Sequence, residues 1–489
     1  MPILKVVQPT LLKQDPAKQA SELLPEQRYA VATGTRLAII ATAPAINGHL
    51  QVELVEPIQK YQTWFAFAQH VVVELSPDEA LAAARDRDRV FQDFLAIETA
   101  AGSNQMHLSF LDRGSGSSAY SDQIEQFPQY LQRKPDGKNL VSSAVQRTAT
   151  VAPFFQRGVI PPIEQTALEF LHPDITEACI CIGSWMDGQM RARWLGKNAL
   201  NTAQFWSATK IVPVIQVVCQ ANIIQVTLPI QDCWIQDPSG EVNDISFVKA
   251  ATNIVSYGMD DPANDVFASN QLAAMMKRFF LLPQQEQWFR DLTGNKHLAF
   301  RGYYGEDPYI AEPELWSKNG VLMQSRPEGG RGENLVSAYD LTRIVAMLGW
   351  HYHLTQAARL PGAQWHSLGT VVRAMGYDTA RYFDVAIEKL GLQSVLREVV
   401  LLSKLGFGAS NLRDRTELTY TGLLWFIDDR PRAQNQPSVL RTVALTLRSA
   451  VQKYNSAGER DLDEEARWLD ARIAAEVTEI LRRIVTEEL

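Results

Sequence analysis

The chain has 489 residues, more than one hydrophobic core usually organises, so two or three folded units are expected. Its formal net charge of −8 excludes a general nucleic-acid binder, because such a protein carries a basic excess that neutralises phosphates. No apolar run approaches the roughly 20 residues that a membrane-spanning helix needs, so no membrane segment is expected.

Residues 1–76 have the pattern of short β-strands separated by tight turns. Alternation of apolar and polar residues predicts four strands, at 30–32, 36–41, 49–55 and 63–75. Gly34 and the Asn47-Gly48 pair lie between strands, where a tight turn needs a positive φ. A small all-β barrel fits this length of chain.

The same segment, with "VATGTRLAI", "HLQVEL" and "TWFAFAQHV", resembles the Src-homology-3-like barrels found beside bacterial cell-wall hydrolases. This resemblance implies a contact with the cell wall through the N-terminal barrel. Trp64, Phe65 and Phe67 then line a peptide or glycan groove, or they form the core of the barrel.

Residues 77–160 are expected to hold a helix and a linker. A helix is predicted over 77–98, with Ser76 as its N-cap, Pro77 at the first helical position and Glu79 completing a capping box. The segment 112–139 is rich in Gly, Ser, Gln and Pro, a composition typical of a linker.

The four cysteines, Cys179, Cys181, Cys219 and Cys233, all lie within one stretch of the chain. The first two alternate with isoleucines in a predicted strand and so face the same side. Such neighbours are poor disulfide partners, and a zinc site would need two further ligands. Buried apolar packing is the interpretation that we adopt, and neither a metal nor a cofactor is expected.

From residue 161 to 489 the pattern changes to mixed strands and helices. "ITEACICIGSW" and "QMRARWLG" predict a hairpin with its turn at 186–188, and an apolar helix begins near Ser207. "VVLLSKLGFGAS" and "ELTYTGLLWFIDD" predict two more strands, and "PSVLRTVALTLRSAVQKY" predicts a closing helix. The fold class is therefore α+β, with an antiparallel sheet built from both ends of the domain and a helical lobe packed on it.

Ser207 and Lys210 place a hydroxyl and an amine three residues apart at the start of the apolar helix. A serine hydroxyl is a weak nucleophile until a base removes its proton, and a lysine can do so if its pKa is depressed. A helix N-terminus also directs backbone N–H groups at developing negative charge. This pair is the candidate nucleophile and base.

Residues 175–450, with the Ser-x-x-Lys motif and "FASNQLAAMMKRF", resemble the class A β-lactamase and penicillin-binding family of serine acyl-transferring enzymes. The resemblance implies the β-lactamase/transpeptidase-like sheet with its helical lobe. It also implies that Ser269 relays a proton between lysine and leaving group. Asn270 and Gln271 replace the family's Asp and Asn, and Gln271 is expected to bind the substrate amide. The alternative is that Ser269 is a plain helix N-cap.

"FRGYYGEDPYIAEPELW" resembles the family's loop that carries the glutamate activating the deacylating water. Glu312 is the first choice for this general base, because Glu-Pro-Glu-Leu matches literally, and Glu306 is the rival under a shifted alignment. A solvated acidic loop is the structural alternative. Trp316 follows where the family often has an asparagine.

"LLSKLGFGAS" resembles the family's Lys-Thr-Gly strand. By this resemblance Lys404 supplies a positive charge for the substrate carboxylate, and Gly406 lets substrate lie against the strand edge. The Phe407 N–H would pair with that of Ser207 as the oxyanion hole. Leu405 replaces the usual threonine or serine, which deletes a hydroxyl that binds the carboxylate. The alternative for Lys404 is an edge-strand lysine that prevents aggregation.

Three functions follow from these patterns. The first is a serine hydrolase that acylates Ser207 with a β-lactam, or with a small-molecule or peptide amide of the cell-wall type. The second is a binding or scaffold protein that retains the fold and has lost efficient catalysis, and the third is a glutaminase-like amidohydrolase. Residues 1–13 do not read as a secretory signal, so the sequence leaves the compartment open.

Overall fold

The computed structural model describes residues 2–133, 151–186, 188–257 and 269–489, and the backbone divides into two compact units. The first unit consists of Met1–Arg87 with Ile387–Ser394, and the second of Asp88–Ala386 with Val395–Leu489. The sequence predicted boundaries after residues 76 and 160. In the structure the chain enters the second unit at Asp88 and returns once to the first.

The first unit contains one antiparallel sheet of seven strands in the order β3-β2-β6-β5-β4-β1-β7. Its strands are β1 (Ile3–Val6), β2 (Thr10–Lys13), β3 (Arg28–Val31), β4 (Arg36–Ile46), β5 (His49–Ile58), β6 (Tyr61–Phe67) and β7 (Val71–Glu74). Strands β3 and β7 are the edges, and within the described residues no pairing joins them. The predicted all-β segment is present, but the sheet is open where a closed barrel was expected.

Trp64 decides between the two interpretations of the aromatic residues in β6. Its side chain is fully buried in the core of the first unit, and Nε1 donates to the Tyr61 carbonyl at 3.0 Å. Successive residues of a strand point to opposite faces, so Phe65 and Phe67 lie on the other side and are half-buried. Trp64 is therefore a core residue, and only the two phenylalanines remain candidates for a binding surface.

Eleven helices are present in the described residues. They are α1 (Pro77–Ala83), α2 (Arg87–Ala101), α3 (Phe127–Tyr130), α4 (Ile211–Ile224), α5 (Phe247–Ser256), α6 (Ser269–Lys277), α7 (Leu282–Thr293), α8 (Ala338–Gly349), α9 (Trp365–Gly376), α10 (Tyr382–Lys389) and α11 (Leu462–Val485).

The capping box predicted at Ser76 is confirmed, because the Ser76 side chain accepts from the Glu79 N–H and the Glu79 carboxylate accepts from the Ser76 N–H. The single helix predicted over 77–98 is two helices. At the break, Arg85 and Asp86 donate to carbonyls three residues back, which tightens the turn and ends α1.

The linker predicted over 112–139 is folded wherever the structure describes it. Ile124, Phe127 and Leu131 are fully buried in the core of the second unit, so this glycine- and serine-rich segment is held by apolar anchors spaced along it. The overall composition of the segment does not reveal these few buried residues, so a prediction from composition misses them. The remainder of the predicted linker, 134–139, lies outside the described residues.

The second unit is built on a six-stranded antiparallel sheet in the order β17-β18-β19-β9-β10-β8. All the strands of this unit, in chain order, are β8 (Ala152–Pro153), β9 (Ile175–Met186), β10 (Gln189–Lys197), β11 (Trp234–Gln236), β12 (Ile245–Ser246), β13 (Ala299–Phe300), β14 (Glu314–Ser317), β15 (Gly320–Gln324), β16 (Asn334–Leu335), β17 (Leu396–Ser410), β18 (Arg415–Asp428) and β19 (Val439–Val451). As predicted, both ends of the domain contribute strands to an antiparallel sheet. The β9–β10 hairpin is present, although Asp187 of its predicted turn lies outside the described residues.

The predicted closing helix at 437–454 is wrong. This segment is β19, which pairs with β18 on one side and β9 on the other. A central strand covered on both faces has a continuous buried run, and such a run has the same periodicity as a buried helix. The closing helix is α11, which packs against β18 and β19.

Helix α4 and the 3₁₀ turn before it form the core of the helical part. The stretch Trp206–Ile224 is apolar and long enough to cross a membrane by length and composition alone. However, 78% of its most apolar 18-residue segment is buried inside the protein.

The four cysteines are all free and buried, as the sequence predicted. Ser337 and Asp340 form a capping box at the start of α8.

Candidate active site

Ser207 lies in the 3₁₀ turn Trp206–Lys210, which leads directly into α4, so the predicted helix starts with a tighter turn. The preceding residue, Trp206, has φ 48°, a left-handed conformation that a bulky side chain adopts only under constraint. Its indole Nε1 donates to Glu417 Oε2 at 2.9 Å, which supplies the constraint. The Ser207 side chain is partly exposed, as an attacking group needs to be.

Strand β17 approaches the Ser207 turn at Gly406. A Cβ at this position would lie 2.5 Å from the Phe205 carbonyl oxygen and 3.2 Å from the Ser207 nitrogen. Only glycine permits this approach, because the atoms that it meets belong to the backbone and cannot rotate away. The backbone of β17 is thereby brought against the Ser207 turn at Gly406.

Lys210 is 1% exposed, and its Nζ donates to Ser269 Oγ at 3.0 Å. The pKa of Lys210 is lowered to about 6, chiefly by burial and also by the nearby positive charge of Lys404, while Glu306 acts in the opposite direction. An amine with this pKa is mostly neutral at pH 7 and has a lone pair available. Lys210 is thus in the state that a proton acceptor requires.

Ser269 begins α6 and joins two elements of the site. Its Oγ accepts from Lys210 and donates to the Ile254 carbonyl in α5 at 2.9 Å. The side chain is buried, so these are the contacts that orient its hydroxyl. A serine oxygen within hydrogen-bond distance of a neutral lysine can pass a proton to and from it.

Lys404 is fully buried on β17. Its Nζ donates to the Val255 carbonyl at 2.9 Å and to Tyr257 Oη at 3.0 Å, and Asp378 Oδ1 lies 3.8 Å away. Burial raises the pKa of Asp378, and the charge of Lys404 opposes that rise. The edge-strand alternative for Lys404 does not fit these contacts, because an aggregation-blocking lysine extends into solvent.

Tyr257 is a member of the site that the sequence did not reveal. It ends α5 in the left-handed conformation, with φ 60°, which turns its side chain back onto the two lysines. The ring centroid lies 4.2 Å from Lys404 Nζ and 5.7 Å from Lys210 Nζ. Tyr304 covers Lys210 from another element, with its centroid 5.6 Å from Nζ. No sequence motif identifies either tyrosine, and their place in the site follows only from their contacts in the structure.

The structure distinguishes between the two candidate general bases, Glu306 and Glu312. Asn270 Nδ2 donates to Glu306 Oε1 at 2.9 Å, and Glu306 is the carboxylate that acts on the pKa of Lys210. Glu312 is exposed just before β14, whose sheet partners are β11 and β15. Of the two glutamates, Glu306 is therefore the one that interacts with a residue of the predicted site.

The side-chain amide of Asn270, the residue directly after Ser269, donates to Glu306 Oε1 at 2.9 Å. Gln271, which the sequence assigned to the substrate amide, accepts through its backbone carbonyl from the Tyr309 N–H at 3.1 Å. Binding of a substrate amide by Gln271 stays a prediction.

The sequence matches no protein-family model, and it matches no curated protein. The structure is similar to that of a β-lactamase from Desulfarculus baarsii, with 16% sequence identity, a TM-score of 0.35, and coverage of 63% of this chain and 92% of that one. It is also similar to that of a peptidoglycan synthetase from Bifidobacterium adolescentis, with 11% identity, a TM-score of 0.23, and coverage of 64% and 57%.

Proposed function

We propose that this protein is a serine hydrolase that forms an acyl-enzyme on Ser207. The observation that carries the proposal is the state of Lys210, a buried amine with a pKa of about 6, three residues after a partly exposed serine. Burying an amine that must give up its charge is costly, and a protein keeps such a group where its basicity is used.

In the proposed acylation, Ser207 Oγ attacks the carbonyl carbon of an amide or ester, and its proton passes to Lys210 Nζ. The carbonyl oxygen becomes an oxyanion beside the N–H groups of Ser207 and Phe407. Ser269 then donates its proton to the leaving nitrogen or oxygen and takes one from Lys210. The bond to the leaving group breaks, and Ser207 carries an ester.

In the proposed deacylation, a water attacks this ester and passes its proton to Glu306, which Asn270 orients. The bond between the acyl carbon and Ser207 Oγ then breaks, and the proton held by Glu306 returns to Ser207 Oγ. The products are a carboxylic acid and the free Ser207 hydroxyl. Glu306 is preferred over Glu312 because it is the carboxylate that interacts with Lys210. If this step is slow, the protein is a binding protein that traps its ligand.

The experiment that tests the proposal is intact-mass measurement after incubation with penicillins, cephalosporins and 4-nitrophenyl esters. We expect an adduct of the acyl group on the native chain and none on Ser207→Ala. Ser239→Ala is the matched control, since Ser239 lies in an exposed turn bonded to Asp237, and it should acylate like the native chain. An adduct that persists in Ser207→Ala would refute Ser207 as the nucleophile.

The lifetime of the adduct separates the hydrolase from the trap. An adduct that disappears within minutes, with release of the acid, supports a hydrolase. An adduct that persists for hours supports a binding or scaffold protein. Absence of an adduct with every compound would contradict the proposed function.

A further inference from the structure

The position that would hold a substrate carboxylate is the ammonium group of Lys404, which is buried and already uses two of its three donors. A lysine ammonium has three donors. The Val255 carbonyl and Tyr257 Oη accept two of them, at 2.9 and 3.0 Å, and Asp378 lies 3.8 Å from Nζ. Because Lys404 is fully buried, a substrate anion would have to displace one of these partners to reach it.

The residue beside Lys404 offers nothing else to an anion. Leu405 is buried and apolar, so this point of β17 lacks a hydroxyl that could donate to a carboxylate oxygen. Farther along the strand, the Trp206 ring lies against Gly408, where an added Cβ would be 2.6 Å from the indole. Phe407 between them is half-buried. The edge of β17 next to Ser207 is therefore lined by apolar and aromatic groups.

The arginines beyond Trp206 are held by carboxylates. Arg413, Arg415 and Arg448 all donate to the buried carboxylate of Glu417, at 2.6 to 2.9 Å. Arg448 also donates to Glu177 Oε2 at 2.6 Å. These bonds bind the guanidinium groups to β18 and its neighbours, and the Trp206 indole donates to the same Glu417.

Among the described residues, a group that can still donate beside the lysines is the Tyr257 hydroxyl. It accepts from Lys404, and its own O–H can donate to a neutral carbonyl or ether oxygen. A single neutral hydroxyl suits a neutral acceptor, but it does not repay the desolvation of a carboxylate. The chemistry at this end of the site matches an uncharged ligand.

From these contacts we infer that the acyl donor is an amide or ester that carries no carboxylate beside its scissile bond. This inference rests on the proposed acylation of Ser207 and specifies its substrate class. It differs from what the Lys-Thr-Gly resemblance implies. In this inference Lys404 is a buried charge that lowers the pKa of Lys210, and it does not bind the carboxylate of a substrate.

The experiment compares pairs of acyl donors that differ only in this charge, such as a penicillin and its methyl ester, or a peptide ending in D-alanyl-D-alanine and its C-terminal amide. The rate of Ser207 acylation is followed by intact mass. We expect the neutral member of each pair to acylate at least ten times faster. Leu405→Thr, which places a hydroxyl at the missing position, should narrow that ratio severalfold, with its folding checked by circular dichroism.

The outcomes distinguish the two proposals. Equal or faster acylation by the carboxylate member would overturn the inference and leave the acyl-enzyme on Ser207 intact. Failure of both members of every pair to modify Ser207 would overturn the proposed function and, with it, this inference. A neutral preference measured on the native chain supports the inference whatever the folding of the variant.

Discussion

At the scale of single residues, Lys210 sets the conditions under which the site works. Its amine is held between two tyrosine rings and bonded to Ser269, away from solvent. A cation in this position is disfavoured because burial removes its hydration and Lys404 repels it. The ionisation of one residue is therefore expected to control the rate of acylation.

The first prediction is the pH dependence of that rate. Lys210 accepts a proton only when it is neutral, and its pKa is lowered to about 6. The acylation rate should therefore rise as the pH rises through about 6 and level off above 7. Single-turnover acylation measured from pH 4.5 to 9 checks this, and a rate that still rises steeply at pH 9 would mean that Lys210 has the pKa of an ordinary lysine.

The second prediction concerns the two glutamates. Glu306→Gln should slow deacylation by about 10²- to 10⁴-fold while acylation changes little, because a general base typically contributes that much. Glu312→Gln is the matched control and should leave deacylation unchanged. Decay of the adduct mass gives both rates. Slower decay in the Glu312 variant alone would reverse the assignment.

At the scale of elements, the site depends on how closely β17 approaches the turn Trp206–Lys210. Neither element is unusual by itself, since one is a long sheet strand and the other a 3₁₀ turn before a helix. The contact is made at Gly406, and the turn is also held by the hydrogen bond from Trp206 to Glu417 on β18, the strand that pairs with β17. The position of Ser207, the proposed nucleophile, thus depends on segments about 200 residues apart in sequence.

The third prediction is that Gly406→Ala damages this approach. The added methyl would meet the Phe205 carbonyl at 2.5 Å, so the strand or the turn must move. We expect the acylation rate to fall at least 100-fold, because small misplacements of reacting groups are costly. Gly329→Ala is a control for the substitution itself, since that glycine is exposed, has open space around it and lacks a positive φ. Near-native acylation by Gly406→Ala would show that the close approach is dispensable.

At the scale of the whole molecule, the two units have separate hydrophobic cores. The core of the first unit is centred on buried residues of its seven strands, and the much larger core of the second surrounds α4 and α8. All the residues proposed to act on substrate belong to the second unit. Contact of the first unit with cell wall, through the face that carries Phe65 and Phe67, stays a proposal.

The fourth prediction follows from this division. Trp64→Ala should destabilise the first unit by about 3–5 kcal/mol, the usual cost of removing a fully buried tryptophan. The acylation rate of Ser207 should stay within a factor of two. Thermal unfolding and intact-mass kinetics on the same sample test both statements. Loss of acylation in a folded variant would mean that the first unit supports the site.

Part of this description was predictable from the sequence. The Ser207–Lys210 spacing and the cap at Ser76 were identified from local patterns, because each depends on residues within four positions of one another. Gly406 was identified from the resemblance of its segment to a known strand motif. The antiparallel sheet was predicted for the same reason, since strand periodicity is a local property.

What the sequence left undecided depended on contacts between distant segments. The choice of Glu306, the amide of Asn270 and the presence of Tyr257 and Asp378 came from the packing of α5, α6 and β17 around Lys210 and Lys404. The same is true of β19, whose buried run suits a helix or a central strand until its neighbours are known. By itself the sequence selected Ser207 and Lys210 as the candidate nucleophile and base. Only the tertiary structure decided which charges surround it, because burial and Coulomb interactions depend on distance in space and not along the chain.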